Sequence, residues 1–162
     1  VWSSALFFKY INYDNEQDYA SKSIDYVNNE VWGNLGVAVL IKKHNSHKNK
    51  ELLNSYVQDL NYGTVAINEW PALGFIIPTM PWGGYPGNKD SDIQSGQGYV
   101  HNALFFESPL KGVLYSKFKL PLIDPVWFTS NKKGRKVFKN LTYYQIENSK
   151  INLIKLLFSA LI

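Results

Sequence analysis

The stretch Tyr62–Gly87, YGTVAINEWPALGFIIPTMPWGGYPG, most constrains the fold because a short apolar strand leads directly into a long loop. Thr64, Val65 and Ile67 are β-branched and suit a pleated sheet. Beyond Asn68 the stretch contains four prolines and four glycines, which predict a shaped, non-repetitive loop over residues 70–87. Such long loops in compact domains are mostly functional or disordered.

The apolar side chains of this loop have two interpretations. They line a pocket or a partner surface, or they cap a core. Trp70, Phe75 and Trp82 are too apolar for a solvated coil, so the sequence favours a loop folded over a pocket or a partner. Glu69 precedes Trp70 and is either a functional carboxylate or one whose hydrogen bonds are satisfied by loop amides.

Three apolar runs separated by two amphipathic helices predict a parallel sheet. The run Gly36–Lys42 is continuously apolar, as in a strand that is covered on both faces. The run Ala5–Ile11 is predicted as the first strand. Asn15 opens a helix that ends near Gly33, and Ser46 opens the second helix. The expected fold is α/β, a three-layer αβα arrangement with a mostly parallel βαβαβ sheet, in which ligands lie beyond the carboxyl ends of the strands.

The C-terminal third has a different composition and is predicted as a second segment, residues 111–162 after residues 1–110. Lys111–Leu120 alternates apolar and polar residues, which indicates a half-exposed edge strand of the kind that pairs with a partner. A basic segment, Lys132–Lys139, follows, and Ile151–Ile162 predicts a terminal helix. Twelve residues cannot cross a bilayer, and a docked helix is favoured over an interfacial anchor.

The net charge of +4 conceals an imbalance along the chain. Residues 1–110 contain seven Lys/Arg and eleven Asp/Glu, whereas residues 111–162 contain ten and two. Nucleic acid would be one partner for a basic tail, but Arg135 is the single arginine, and arginine makes the bidentate contacts that such binding uses. We therefore expect no nucleic-acid binding, and a tail that is solvated or faces another subunit.

Several kinds of site lack their sequence signature. The chain has no cysteine, so thiolate metal sites and cysteine nucleophiles are excluded. His44 and His47 lie in a polar turn without a third ligand, and His101 is isolated, so no metal is expected. Gly96-Gln97-Gly98 lacks the third glycine of a dinucleotide fingerprint. With no apolar run of about 20 residues and no signal-peptide pattern, we expect no membrane contact and a cytoplasmic protein.

The order of these segments resembles the C-terminal part of an aldehyde dehydrogenase, in a divergent branch. Five short matches carry the resemblance over roughly the first 100 residues, and the GTVAIN and PWGGY pair is the most specific. They are Val1–Ala5 (VWSSA), Asn28–Leu35 (NNEVWGNL), Gly36–Ile41 (GVAVLI), Gly63–Asn68 (GTVAIN) and Pro81–Tyr85 (PWGGY). Trp2 and Trp82 stand where that family has phenylalanine, and Pro86 stands where it has lysine, so substrate and cofactor preference are not inherited.

The resemblance implies an NAD(P)-dependent oxidoreductase that converts an aldehyde into a carboxylic acid, with a catalytic cysteine and glutamate upstream of Val1. Starting at valine, the chain is expected to be cut from such a longer parent. It would contribute no catalytic residue. Trp2 would contact NAD or NADP, which the fragment alone would not bind tightly. Trp70, Phe75 and Trp82 would form a substrate wall, and the strand Lys111–Leu120 would form the interface of a homo-oligomer.

A stand-alone binding or assembly module is the alternative. Such a protein would retain the fold without the chemistry, and its aromatic loop would hold a small ligand or a partner. A start codon directly before Val1 would favour this alternative, whereas a cysteine and a glutamate encoded upstream would favour the oxidoreductase.

Overall fold

The computed structural model describes residues 6–41, 47–118 and 131–161, in two compact units, Val1–Lys119 and Leu120–Ile162. The first unit contains α1 (Glu16–Asn29), β1 (Gly36–Val39), α2 (His47–Asp59), β2 (Thr64–Ile67), α3 (Leu73–Ile76), β3 (Trp82–Gly83), β4 (Tyr99–His101) and β5 (Gly112–Tyr115). The second unit contains α4 (Gly134–Glu147) and α5 (Lys150–Leu161).

A parallel sheet with the order β1-β2-β5 organises the first unit. Gly36, Thr64 and Gly112 are in register across the three strands. All four residues of β2 are buried, because β2 has a strand on each side and cover on both faces. The α/β class with a parallel sheet is thus confirmed, and Thr64–Ile67 is its central strand.

The main core lies between this sheet and helices α1 and α2. Asn15 begins α1 as predicted, since its side-chain oxygen accepts the backbone amides of Gln17 at 3.0 Å and Asp18 at 3.1 Å. The buried residues of this core come from both helices, from β1 and β2, and from the turn before β2: Ala20, Ile24, Val39, Leu53, Tyr56, Leu60, Tyr62, Val65 and Ile67. Burial of these apolar side chains stabilises the packing of the helices on one face of the sheet.

The long loop covers the opposite face. Pro71 lies against Gly36 of β1, and Met80 lies against Gly112 of β5. Within the loop, α3 forms a single helical turn, and β3 pairs with β4 in a short antiparallel ribbon. The prediction of a loop over residues 70–87 was therefore wrong about these two short elements.

The predicted first strand was also wrong. Residues 6–11 form no strand, and Leu6, Phe7 and Phe8 are exposed, while Ala5 lies outside the described residues. The third strand of the sheet is β5 instead, which pairs with β2. Strand propensity identifies residues that fit a pleated surface, but it does not decide which edge they join.

The segment Lys111–Leu120 contains the predicted edge strand, observed at Gly112–Tyr115, while residues 119 and 120 lie outside the description. Because β5 belongs to the sheet, the compact unit that contains the sheet extends to Lys119. The strand predicted over Gly36–Lys42 is observed at Gly36–Val39. The helix predicted after Ser46 is observed at His47–Asp59, and residues 42–46 lie outside the description.

The second unit is a helical hairpin. Its second helix, α5, was predicted, whereas α4 was not and includes most of the basic segment Lys132–Lys139. Asn148 ends α4 in the left-handed conformation, with φ 45°, and its amide donates to the Tyr144 carbonyl at 2.8 Å. Asn152, which is buried, donates to Glu147 Oε2 at 2.6 Å across the turn.

Candidate functional site

Asn68 joins the carboxyl ends of all three parallel strands. Its backbone amide donates to the Val39 carbonyl at 2.8 Å, and its side-chain oxygen accepts the Ile41 amide at 2.7 Å. Its side-chain nitrogen donates to the carbonyls of Ile41 at 3.0 Å and Ser116 at 3.4 Å. Asn68 itself has φ 55°, a conformation that asparagine tolerates better than most residues. The aromatic loop therefore begins from a fixed point at this end of the sheet.

The three predicted substrate residues occupy different environments. Trp70 and Phe75 are 50% and 54% exposed, whereas Trp82 is buried at 8%. The rings of Phe75 and Trp82 meet edge to face, with centroids 5.9 Å apart. Phe75 and Trp82 thus form a pair in which Trp82 supports a half-exposed Phe75. Trp70 has no described ring contact with them.

Glu69 makes a local hydrogen bond within this loop. Its Oε1 accepts the Trp70 backbone amide at 3.0 Å. This bond matches the interpretation of Glu69 as a carboxylate satisfied by a loop amide.

His101 is a member of this aromatic cluster that the sequence did not reveal. Antiparallel pairing of β3 with β4 places it opposite Trp82, and its ring lies 5.7 Å from that of Phe75. His101 Nε2 lies 3.1 Å from the Phe75 carbonyl oxygen, while Nδ1 is buried and has no hydrogen-bond partner among the described residues. The cluster of Phe75, Trp82 and His101 therefore combines two apolar rings with one ring that carries hydrogen-bonding nitrogens.

Close backbone contacts hold the second half of the loop. A Cβ added to Gly63 would overlap the carbonyl oxygen of Gly83, and one added to Gly83 would overlap that of Gly98. Three segments of the chain therefore stack here without side chains between them, which only glycine permits. The PWGGY motif has this packing role in addition to its aromatic residues.

Paired amides attach the same part of the loop to the turn between α1 and β1. The side chains of Asn34 and Asn88 exchange hydrogen bonds of 2.7 and 3.2 Å. The Asn34 carbonyl accepts the backbone amides of Gly63 at 2.9 Å and Tyr85 at 3.1 Å. Because these partners come from distant parts of the sequence, the loop is an ordered element of the first unit.

Lys111 connects β5 to the end of α2. Its Nζ donates to the carbonyls of Val57, Gln58 and Leu60 at 3.0, 2.9 and 2.6 Å, and it lies 5.4 Å from the centre of the Tyr85 ring. A cation at this position satisfies carbonyls that the helix end leaves free. Burial lowers the pKa of Lys111.

A cavity in the first unit lies away from the aromatic cluster. It has a volume of about 530 Å³ and lies beside the turn between α1 and β1. Its lining includes Asn28, Trp32, Asn34, Asn61, Tyr85 and Asn88. Trp70, Phe75 and Trp82 do not line this cavity.

Trp2, the predicted cofactor contact, and His44 lie outside the described residues. No described set of His, Cys, Asp and Glu side chains could hold a metal ion. Among the helices of the described ranges, none is long and apolar enough to cross a membrane.

Comparison with known proteins yields no relative. No family model, curated protein or solved structure matches this chain.

Proposed function

We propose that this chain forms a wall of the substrate cleft in an NAD(P)-dependent aldehyde dehydrogenase-like oxidoreductase, and that the nucleophile and most of the cofactor site belong to another part of the protein. The main support is the position of Gly63–Asn68, GTVAIN. It contains the central strand of a parallel sheet, and the aromatic loop leaves the carboxyl end of that strand. Ligands of parallel sheets bind beyond this end.

The exposed rings of the loop have the properties of an incomplete pocket wall. Trp70 and Phe75 present half of their surface to solvent, and Trp82 fixes Phe75 from behind. Apolar rings of this kind exclude water and bind the apolar part of a substrate. In this proposal Trp70 and Phe75 contact the aldehyde, Trp82 positions Phe75, and the chain contributes no catalytic residue because it has no cysteine.

The cofactor assignment depends on the resemblance alone. Trp2, which lies outside the described residues, would contact NAD or NADP. The three-layer αβα arrangement also belongs to the proposal. In the described chain, helices α1 and α2 cover one face of the sheet and the loop covers the other.

Assembly with further polypeptide is part of the same proposal. The expected partners are the nucleophile-bearing and cofactor-binding part of the parent chain and further copies of the protein. The edge strand β5 is the surface expected to pair between subunits of the complete protein, and the expected location is the cytoplasm. Neither a membrane nor a nucleic acid is an expected partner.

The proposal is tested by assaying the 162-residue chain and the complete gene product with NAD, NADP and a panel of aldehydes. We expect no reduced nicotinamide from the chain alone and aldehyde-dependent production from the gene product. Turnover by the chain alone, or a gene product without an upstream cysteine and glutamate, would contradict the proposal. A gene that starts directly before Val1 would favour the stand-alone binding module.

Substitutions in the complete protein test the assigned wall. Trp70→Ala and Phe75→Ala should raise KM about tenfold or more, because each removes an apolar contact worth about 1–3 kcal/mol. Phe138→Ala is the matched control, since Phe138 is a half-exposed ring on α4 in the other unit. Equal effects of all three substitutions on KM would contradict the proposal that the loop contacts the substrate.

A further inference from the structure

The outer edge of β1 has no partner among the described strands. β1 stands at the end of the strand order β1-β2-β5, so its one described neighbour is β2. The carbonyls of Leu35 and Val39 accept the amides of Thr64 and Asn68 at 2.9 and 2.8 Å, so these two residues direct their polar groups toward β2. Backbone groups alternate along a strand in a parallel ladder, and Ala38 therefore directs its N–H and C=O away from the sheet.

Residues 6–11 have a strand-like sequence but form no strand and pair with no described strand. Leu6, Phe7, Phe8 and Tyr10 are 77%, 89%, 78% and 91% exposed. No backbone hydrogen bond joins residues 6–11 to another residue of the described ranges. Exposure of this many large apolar side chains in six residues is costly unless another surface covers them.

Contacts with α1 hold this segment on its own helix. The Asn12 carbonyl accepts a hydrogen bond from Lys22 Nζ at 3.1 Å. Lys9 Nζ lies 5.2 Å from the centre of the Tyr26 ring. The apolar side chains of the segment are therefore displayed outward from α1, where a second molecule can reach them.

A cavity beside β1 matches the side chains that such a strand would bring. It has a volume of about 310 Å³ and is lined by the consecutive residues Val37, Ala38, Val39 and Leu40, together with side chains of α1 and α2. In an extended segment Leu6, Phe8 and Tyr10 share one face. A strand added at this edge would place that apolar face toward the cavity.

We propose that Leu6–Ile11 of one copy adds as a strand to the outer edge of β1 in a second copy, and that the exchange is reciprocal. Each chain carries one exposed strand-like segment and one edge without a partner among the described strands, so two copies satisfy both in a closed symmetric dimer. Main-chain hydrogen bonds provide the affinity, as in other cases of strand addition, and the cavity provides the side-chain site. This dimer does not depend on the proposed enzymatic role.

The test uses two variants of the 162-residue chain, each of which loses one half of the interface. Phe8→Pro breaks the segment, and Ala38→Pro removes the outward-facing N–H of β1 without changing the bonds to β2. Light scattering should give a dimer mass for the unmodified chain and a monomer mass for each variant alone. An equimolar mixture of the two variants should recover the dimer mass, because one intact segment then meets one intact edge.

Matched variants control for damage to the fold. Phe8→Tyr and Ala38→Val retain the backbone amide and should leave the dimer mass unchanged, and circular dichroism should show that all four variants are folded. A monomeric unmodified chain would overturn the proposal. So would a mixture that stays monomeric, as expected if the segment joins the β1 edge of its own chain. Variants that still dimerise alone would assign association to another surface, such as the edge of β5.

Discussion

At the residue scale, Asn68 makes hydrogen bonds through its backbone amide and through both polar atoms of its side chain. Its side chain bonds to the chain just beyond β1 and just beyond β5, while its backbone amide bonds to β1. A hydrophobic residue in its place would leave backbone groups at the strand ends without partners. The asparagine that closes the GTVAIN motif is therefore needed for the sheet itself.

Asn68→Ala should lower the free energy of unfolding by about 1–3 kcal/mol, because hydrogen-bonded groups at the strand ends lose their partners. Alanine also tolerates the positive φ of this position poorly. Urea denaturation measures the change. Asn68→Gly separates the two effects, since glycine accepts the backbone conformation but cannot make the bonds. A glycine variant as stable as the original chain would show that the side-chain bonds contribute nothing.

Tyr62 makes the free energy of unfolding depend on pH in the alkaline range. Its hydroxyl donates to the Val27 carbonyl at 3.1 Å, and burial raises its pKa above the ordinary value. The folded chain thus favours the neutral phenol. The resulting stability is complete below the unfolded pKa of about 10 and is lost as the pH rises through the higher folded pKa.

Tyr62→Phe should therefore reduce the loss of stability above pH 10. It should also cost about 1 kcal/mol at neutral pH through the missing hydrogen bond. Urea denaturation between pH 7 and about pH 11 measures both effects. Tyr143→Phe, at an exposed position on α4, is the control. Parallel pH profiles for Tyr62→Phe and the unmodified chain would contradict the prediction.

At the element scale, the loop between β2 and β5 is held by backbone packing. Gly83→Ala should cost about 1–3 kcal/mol because the new Cβ meets the Gly98 carbonyl and must displace backbone. Hydrogen exchange should become faster in both β3 and β4, since they separate together. Gly87→Ala is the control, because its Cβ would meet no atom within 4 Å, although its φ of 104° is strained for alanine. Equal rates of hydrogen exchange in the two variants would contradict the prediction that the close contact of Gly83 holds β3 and β4 together.

The elements that the sequence predicted share strong local signals. Helix α1 has an N-cap at Asn15 and apolar residues at helical spacing, and β2 is a β-branched run that ends at Asn68. The elements it missed depend on distant partners. Strand β3 has two residues and is defined by its pairing with β4, which also explains why His101 was considered isolated. The error over residues 6–11 is related, because no local pattern states whether a strand finds an edge.

In the candidate site, too, the sequence shows the local features and not those that depend on tertiary packing. The aromatic content of Trp70–Gly87 is visible in the sequence, and so is its position after a buried strand. The burial of Trp82 and the half-exposure of Phe75 arise from tertiary packing and could not be predicted from spacing. Helix α4 was missed because its first residues, Gly134–Lys139, look like a basic surface segment more than like an amphipathic helix.

At the scale of the whole molecule, large apolar side chains are exposed in the described residues of both units. In α5, Ile151, Ile154 and Phe158 are 65%, 54% and 61% exposed. These positions have helical spacing and form a stripe on that helix. Patches of this kind bind partners or hydrophobic dyes.

The folded chain should therefore increase the fluorescence of the dye ANS before any unfolding occurs. The double substitution Ile154→Ser and Phe158→Ser should reduce this signal and change the free energy of unfolding by about 0.5 kcal/mol or less per site. Asn152→Ala is the opposite case on the same helix, because Asn152 is buried and bonded to Glu147. It should destabilise the chain and leave the dye signal of the native state unchanged. The prediction fails if the double substitution unfolds α5.

The stacking of Gly63, Gly83 and Gly98 means that the backbone path of the loop does not depend on its aromatic side chains. Main-chain atoms in direct contact set that path, so the loop should fold without the rings of Trp70 and Phe75. A laboratory library that varies both rings freely should yield mostly folded proteins, whereas Gly63 and Gly83 should accept almost no replacement.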